Sequence, residues 1–156
     1  KQDERDAAPA PAPRIGPWDR DEIEGLFPGL FDAGDETRRR LARGTAHAVM
    51  NETLRGAHRA LFRTIASPEL MLRNLKGFWR QQYDTGHVDI EDIGATAQRH
   101  VYRDWHGHHS FVCEVTFACI PHMYRAMRLK APRLEDYRCR DHHGGDTCSA
   151  VIRWDP

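Results

Sequence analysis

The stretch LEDYRCRDHHGGDTCSAVIRW, residues 134–154, contains two short runs suited to strands on either side of a polar, Gly-rich turn. Two such runs separated by a glycine-containing turn are typical of a β-hairpin. We therefore predict strands near residues 134–140 and 149–154. Cys139 and Cys148 flank the turn, so the hairpin would bring two thiols together at one end.

A helix without a polar face is predicted just before this hairpin. Residues 111–120 are apolar nearly all round, which is typical of a buried helix rather than a surface one. We expect this helix to run over 111–129, with Ser110 as its cap and a kink at Pro121. Between Val88 and Trp105 the pattern alternates with a period of two, which predicts another β-hairpin.

The first half of the chain is predicted to be helical. A short helix is expected over 19–31, broken near Pro28-Gly29. A longer one is expected over 37–65, where Met50, Leu54 and Leu61 lie on one stripe. Ser67-Pro68 is a typical start for the next helix, which carries Trp79 and Tyr83 on one face. Helices followed by strands in hairpins predict an α+β fold, an antiparallel sheet of hairpins packed against helices.

One domain is expected, because 156 residues suffice for a single hydrophobic core. We assign it to residues 18–156. The Ala-Pro alternation in residues 1–17 is typical of a flexible tether.

Charge and hydropathy limit the partners that we expect. Lys plus Arg and Asp plus Glu each total 23, so nothing in the net charge favours nucleic acid or an anionic membrane. No apolar run is long enough to span a membrane, and no apolar signal core opens the sequence. We therefore expect a cytoplasmic location, where clustered cysteines bind metal more often than they form disulfides.

The cysteines are the strongest candidates for chemistry. Cys113 lies in the first turn of the predicted buried helix, and Cys139 and Cys148 flank the turn of the last hairpin. Three thiolates favour a soft or borderline ion such as Zn²⁺. Strand parity favours Glu135 as the fourth ligand, a twisted or bulged strand end would offer Asp136 instead, and His142 in the turn is another option. A Cys139–Cys148 disulfide is the main alternative, and Cys119 is interpreted as an ordinary buried residue.

Residues 111–154 resemble the C-terminal half of the 4-vinyl-reductase-type, or hydrocarbon-binding, domain family. The sensor domains of phenol-responsive transcriptional activators belong to it. The resemblance rests on Cys113, on an acid three residues before Cys139, and on a glycine-containing turn that ends at Cys148. It implies that Asp136 is the fourth ligand of a structural zinc ion. The chain departs from the sensors in having Asp rather than Glu there, and one more residue between the last two cysteines.

The resemblance also implies a ligand and an assembly. It implies a homodimer that binds a hydrophobic or aromatic small molecule between the helices and the sheet. Aromatic stripes are otherwise ordinary core, so the pocket assignment depends on the resemblance. The candidate pocket residues are Phe78, Trp79, Tyr83, Phe117 and Tyr124.

Two other functions stay open at this point. The family takes its name from a role in the chlorophyll pathway, so a tetrapyrrole-handling protein or enzyme is one alternative. The same fold class resembles vesicle-tethering subunits, so an assembly module is the other. No phosphate-binding loop, nucleophile elbow or dinucleotide fingerprint is present, and we name no catalytic residue. The His106, His108 and His109 cluster is interpreted as a solvated loop, and His142 and His143 as outer neighbours of the metal.

Overall fold

The computed structural model describes residues 19–55, 70, 75–77, 79–80 and 83–156. Three expectations lie outside the described residues: the tether over 1–17, the helix start at Ser67-Pro68, and the pocket residue Phe78. No helix in the described part of the chain is long and apolar enough to cross a membrane.

Two helices open the described fold; the first ends just before Pro28-Gly29, where a break was predicted, and the second is shorter than predicted. Helix α1 spans Arg20–Leu26 and begins with a capping box, in which the side chains of Asp19 and Glu22 each accept from the other residue's backbone N–H. Helix α2 spans Asp35–Thr53, and its C-cap is Leu54. The prediction extended this helix to residue 65. Its apolar stripe continues past Leu54, so periodicity alone gave no end point, and residues 56–65 are outside the described part.

Four strands form one antiparallel sheet, which confirms the α+β fold class. They are β1 (His87–Gly94), β2 (Ala97–Arg103), β3 (Lys130–Arg138) and β4 (Cys148–Asp155). Their order in the sheet is β1-β2-β4-β3. Each predicted hairpin is therefore present, and the two hairpins are joined by the antiparallel pairing of β2 with β4.

A long helix covers the inner face of this sheet. Helix α3 spans Ser110–Ala126 and continues through Pro121. Its N-cap is His109, whose ring Nδ1 accepts from the backbone N–H of Phe111, so the prediction of Ser110 as the cap is wrong by one residue. The imidazole nitrogen replaces the expected hydroxyl as acceptor for a free N–H of the first turn. A one-turn helix, α4 (Arg140–His143), occupies the start of the predicted turn.

The core lies between α3 and the inner face of the sheet. Phe117 and Tyr124 of α3 are fully buried against Ile152 of β4 and Tyr102 of β2. Each large apolar side chain buried in this way contributes about 2 kcal/mol relative to leaving it in water. Since the first turn of α3 enters this same core, Cys113 is carried to the end of the sheet where β3 stops and β4 begins.

Candidate metal centre

Four potential metal ligands converge at that end of the sheet. Their ligand atoms, one imidazole nitrogen and three sulfurs, all lie within 4.8 Å of one another. The three cysteines are buried, and the imidazole side chain is 1% exposed. We call this set the four-donor cluster; its members are His108, Cys113, Cys139 and Cys148.

The sheet register explains why the cluster forms. Tyr102 near the end of β2 pairs with Cys148 at the start of β4, so the loop that leaves β2 passes directly over Cys148. Within that loop the backbone N–H of His108 donates to the carbonyl of Trp105, which turns the chain back toward the sheet. The next residue, His109, is the N-cap of α3. His108 and Cys113 therefore lie on either side of the start of this helix.

The spacing of the donors fits a tetrahedral zinc ion. The Nε2 atom of His108 lies 3.4 Å from the Cys139 sulfur and 3.2 Å from the Cys148 sulfur. Zinc–sulfur bonds of about 2.3 Å and zinc–nitrogen bonds of about 2.0 Å place neighbouring tetrahedral ligands roughly 3.5 to 3.8 Å apart. One His and three Cys is also a donor set found in structural zinc sites. The residues present therefore fit zinc with small adjustments.

Contacts within the four-donor cluster shift the pKa values of its members. Burial alone would lower the pKa of His108, but its contacts with the Cys139 and Cys148 sulfurs raise it to about 9. Sulfur hydrogen bonds from Cys113 and Cys148 lower the pKa of the Cys139 thiol far below its usual range. Burial and the neighbouring sulfurs raise the pKa of Cys113. The lowered pKa of Cys139 and the raised pKa of His108 together favour a thiolate beside an imidazolium when no metal is bound.

Backbone donors of α4 support the sulfurs. The N–H of Arg140 donates to the Cys148 sulfur at 3.4 Å. The N–H of Asp141 bonds to Cys139 and helps to lower the pKa of that thiol. Such N–H groups favour the charged thiolate form, which is the form that binds metal. Helix α4 therefore lies in the turn between Cys139 and Cys148, and its backbone N–H groups partly compensate the negative charge on their sulfurs.

The acids proposed as ligands lie elsewhere. Asp136 is not part of the four-donor cluster; its backbone has φ 48°, and it lines a groove of 470 Å³ on the opposite, outer face of the sheet. Glu135 bonds with Arg133 and Arg153. The backbone irregularity between Glu135 and Arg138 shifts the register there, so neither strand parity nor the family pattern brings an acid to the sulfurs.

The two turn histidines occupy positions beside the cluster. His142 Nε2 lies 3.9 Å from Glu114 Oε1 and belongs to no donor group with the sulfurs. His143 contacts the backbone of Cys139, with its Nδ1 at 3.1 Å from both the N and O atoms of that residue. All four cysteines of the chain are free thiols, so no Cys139–Cys148 disulfide is present.

His108 is the functional residue that the sequence interpretation missed. It was grouped with His106 and His109 as a solvated loop, but its side chain is nearly fully enclosed. The one available signal was its place two residues before the start of α3 and five before Cys113. A histidine so close to a buried cysteine at a helix start was a candidate ligand.

The predicted pocket residues form part of an aromatic cluster next to the metal centre. Trp79 stacks on Tyr83 with ring centroids 4.1 Å apart, and it contacts the ring edges of Tyr102 and Trp105. Phe117 packs on Tyr102 at 4.9 Å. Trp79 and Phe117, two of the predicted pocket residues, thus belong to one continuous aromatic cluster. Within it, each ring is packed directly against neighbouring rings.

Two aromatic contacts connect this cluster with the metal centre. The ring of Trp105 meets His108 at 5.3 Å, edge to face. Tyr137 meets Phe117 at 5.2 Å, and burial together with the nearby Cys113 thiol raises the pKa of the Tyr137 phenol. A change in the positions of the metal-binding residues would therefore directly alter the packing of the aromatic cluster.

Tyr124 lies in the same core, and its hydroxyl takes part in buried polar contacts there. Its hydroxyl donates to Gln98 Oε1, and His100 Nε2 lies 2.8 Å from the Tyr124 hydroxyl oxygen. Gln98 Nε2 in turn donates to Asp92 at 2.7 Å. Burial lowers the pKa of His100 to about 3, so the ring is neutral, and its Nε2–H donates to Tyr124.

Comparison with known proteins identifies the fold. No family model matches the sequence, and no curated protein matches it. One similar solved structure, from work on modulating heme redox potential through protein-induced porphyrin distortion, is 11% identical over 96% of this chain and 82% of its own, with a TM-score of 0.57. Another, from work on heme distortion in the H-NOX family, is 12% identical over 97% of this chain and 78% of its own, with a TM-score of 0.53. Likeness at these identities shows a shared fold.

Proposed function

We propose that this chain is a small-molecule-binding sensor domain whose C-terminal wall is held together by a structural zinc ion. The observation that carries the proposal is the convergence of the four-donor cluster within 4.8 Å. Four protein ligands complete a tetrahedral shell and leave no position for a substrate, which favours a structural over a catalytic role.

Zinc at this position would join separate parts of the fold. The four ligands come from the loop after β2, the first turn of α3, the end of β3 and the start of β4. One ion would thereby tie the long helix to both hairpins. Because the ligands converge only in the folded chain, the binding free energy of the metal would contribute to folding.

The ligand-binding part of the proposal rests on the aromatic cluster and on the fold. Trp79, Tyr83 and Phe117 line the inner side of the sheet next to the metal centre. The fold is shared with structures studied for their heme, so it can enclose a large apolar molecule. We propose a hydrophobic or aromatic small molecule as the ligand. The 4-vinyl-reductase-type family, with its homodimeric sensors, remains the assignment that we propose.

Native mass spectrometry of the full chain, purified without chelator or added metal, tests this function. We expect one zinc ion for each chain, and a homodimer would appear at twice the mass. Thermal-shift screening with apolar aromatic compounds then tests ligand binding. A bare, fully reduced monomer that no compound stabilises would contradict the proposal.

A tetrapyrrole is the second candidate ligand, favoured by the similarity to structures studied for heme. The fully buried imidazoles of the described residues do not fit axial ligation, since His100 Nε2 faces Tyr124 and His108 Nε2 faces two sulfurs. Titration with hemin separates the candidates. A saturable absorbance band with one heme for each chain would favour the tetrapyrrole over a smaller ligand.

A further inference from the structure

The outer nitrogen of the His108 ring faces a carboxylate. While Nε2 lies among the sulfurs, Nδ1 lies 3.2 Å from Oδ2 of Asp141. The His108 side chain is 1% exposed and that of Asp141 is 44% exposed, so the contact spans the boundary between the cluster and solvent. In the described part of the structure Nδ1 is buried without a well-directed hydrogen bond, although the carboxylate is within reach.

The chemistry of a metal-bound imidazole requires an acceptor at this place. A histidine that gives the lone pair of Nε2 to a metal is neutral and carries its proton on Nδ1. A buried N–H without an acceptor destabilises the folded protein, because it loses its hydrogen bonds to water and gains none. Metal-binding histidines therefore usually donate this proton to a carboxylate, a carbonyl or water, which fixes both the tautomer and the ring plane.

We infer that Asp141 is the positioning residue of the zinc site, whose carboxylate accepts the Nδ1–H of His108 and so presents Nε2 to the metal. The inference rests on the proposed zinc site. Asp141 lies in the one-turn helix α4, and its own backbone N–H bonds to Cys139. One residue thus contacts two of the four ligands, through its side chain and its backbone separately.

The charge of Asp141 is compatible with a zinc site of three thiolates. Three thiolates around Zn²⁺ leave a net charge of minus one, which the backbone donors of Arg140 and Asp141 partly offset. The Asp141 carboxylate adds a further negative charge, but it is half exposed, and Oδ1 lies 3.8 Å from the guanidinium Nε of Arg140. Its charge is therefore screened on the outer side while Oδ2 faces the imidazole.

Zinc affinity of variants of the full chain tests the inference. We expect Asp141→Ala to bind zinc about 10- to 100-fold more weakly in competition with a chromophoric chelator, as is typical for loss of such an outer partner. Asp141→Asn keeps an oxygen acceptor and the backbone N–H, so it should recover most of the affinity. The matched control is Asp146→Ala, which removes an exposed acid from the same turn and should bind like wild type.

Nitrogen NMR of the zinc-loaded protein, labelled with ¹⁵N-histidine, gives a readout that a general loss of stability would not reproduce. In wild type the Nδ1 proton of His108 should be protected from exchange and shifted downfield, and in Asp141→Ala this signal should broaden or move upfield. Unchanged affinity together with an unchanged signal in Asp141→Ala would overturn the inference and leave the zinc site intact. A wild-type chain that binds no zinc would overturn both.

Discussion

The Nε2 atom of His108 lies 3.2 Å from the sulfur of Cys148, although 40 positions separate the two residues in the chain. The pairing of β2 with β4 produces this contact, because Tyr102 stands opposite Cys148 in the register. The chain between the two residues forms α3, β3 and α4, so the contact joins parts of the fold that are distant in sequence. The metal centre is consequently a product of the whole C-terminal fold.

Removing either hairpin cysteine should destabilise the protein. We expect Cys139→Ala and Cys148→Ala each to lose zinc and to lower the melting temperature by roughly 10 °C or more, because a loss of several kcal/mol shifts the melting of a domain of this size by about 2–4 °C for each kcal/mol. Calorimetry with and without a chelator measures the effect. Cys119→Ala is the control, because Cys119 is outside the four-donor cluster. Melting of both variants like wild type would refute a structural metal.

The identity of the fourth ligand can be decided by a matched pair of variants. We expect His108→Ala to weaken zinc binding strongly, because it leaves three ligands and an open position. Asp136→Asn should bind like wild type, because Asp136 lies on the outer face of the sheet. Asn suits the positive φ of that position, so the backbone is not disturbed. The charge-transfer spectrum of the cobalt-substituted protein reports the donor set. Wild-type zinc binding by His108→Ala, together with weakened binding by Asp136→Asn, would instead support Asp136 as the fourth ligand, as the family resemblance implies.

The sequence predicted those parts of the fold that depend on local pattern. Alternation between residues 88 and 105 and the glycine-rich turn before Cys148 were sufficient for both hairpins, and the all-apolar start of α3 predicted its burial. Cys139 and Cys148 followed from the hairpin, because the two sides of a hairpin turn are adjacent, and Cys113 followed from its place in the first turn of the predicted buried helix.

The rest depends on contacts between distant residues. His108 stands in a polar run that reads as solvated, and only the β2–β4 register encloses it. Gln98 and His100 are polar residues on the inner face of β2, and they are buried because Tyr124, more than 20 residues away, bonds to both. No local pattern contains such partners. Glu135 was favoured by strand parity with Cys139, but the register shift after Glu135 breaks that alternation. The Glu135 side chain bonds with Arg133 and Arg153.

Zinc binding should strengthen steeply as the pH rises. Without metal, His108 has a pKa of about 9 and the pKa of Cys113 is also raised, so both carry protons at neutral pH. Binding requires neutral imidazole and thiolate, so it must displace both protons. We expect the apparent affinity to rise about tenfold for each released proton and each pH unit, with the contribution of His108 ending near pH 9. Competition titrations between pH 6.5 and 9 measure the slope, and an affinity independent of pH would contradict the protonation pattern.

The buried His100 should make the fold sensitive to mild acid. Its pKa is about 3 in the folded protein against 6.5 for a free histidine, because burial disfavours the charged ring. Between these values the unfolded chain binds one more proton than the folded chain, so stability is full above pH 6.5 and declines as the pH falls. The contribution of one such group is about 1.4 kcal/mol for each pH unit well below 6.5.

His100→Gln isolates this effect from the other titrating groups. The Gln amide can still donate to the Tyr124 hydroxyl, but it does not titrate, so the variant should lose stability less steeply than wild type below pH 6.5. Urea unfolding at pH 7, 6 and 5 gives the two slopes, and their difference should approach one proton. Parallel slopes would mean that His100 is charged, or reached by water, in the folded protein. In that case the directed chain of bonds from His100 through Tyr124 to Gln98 would have to be reassigned, since a charged ring would donate from both nitrogens.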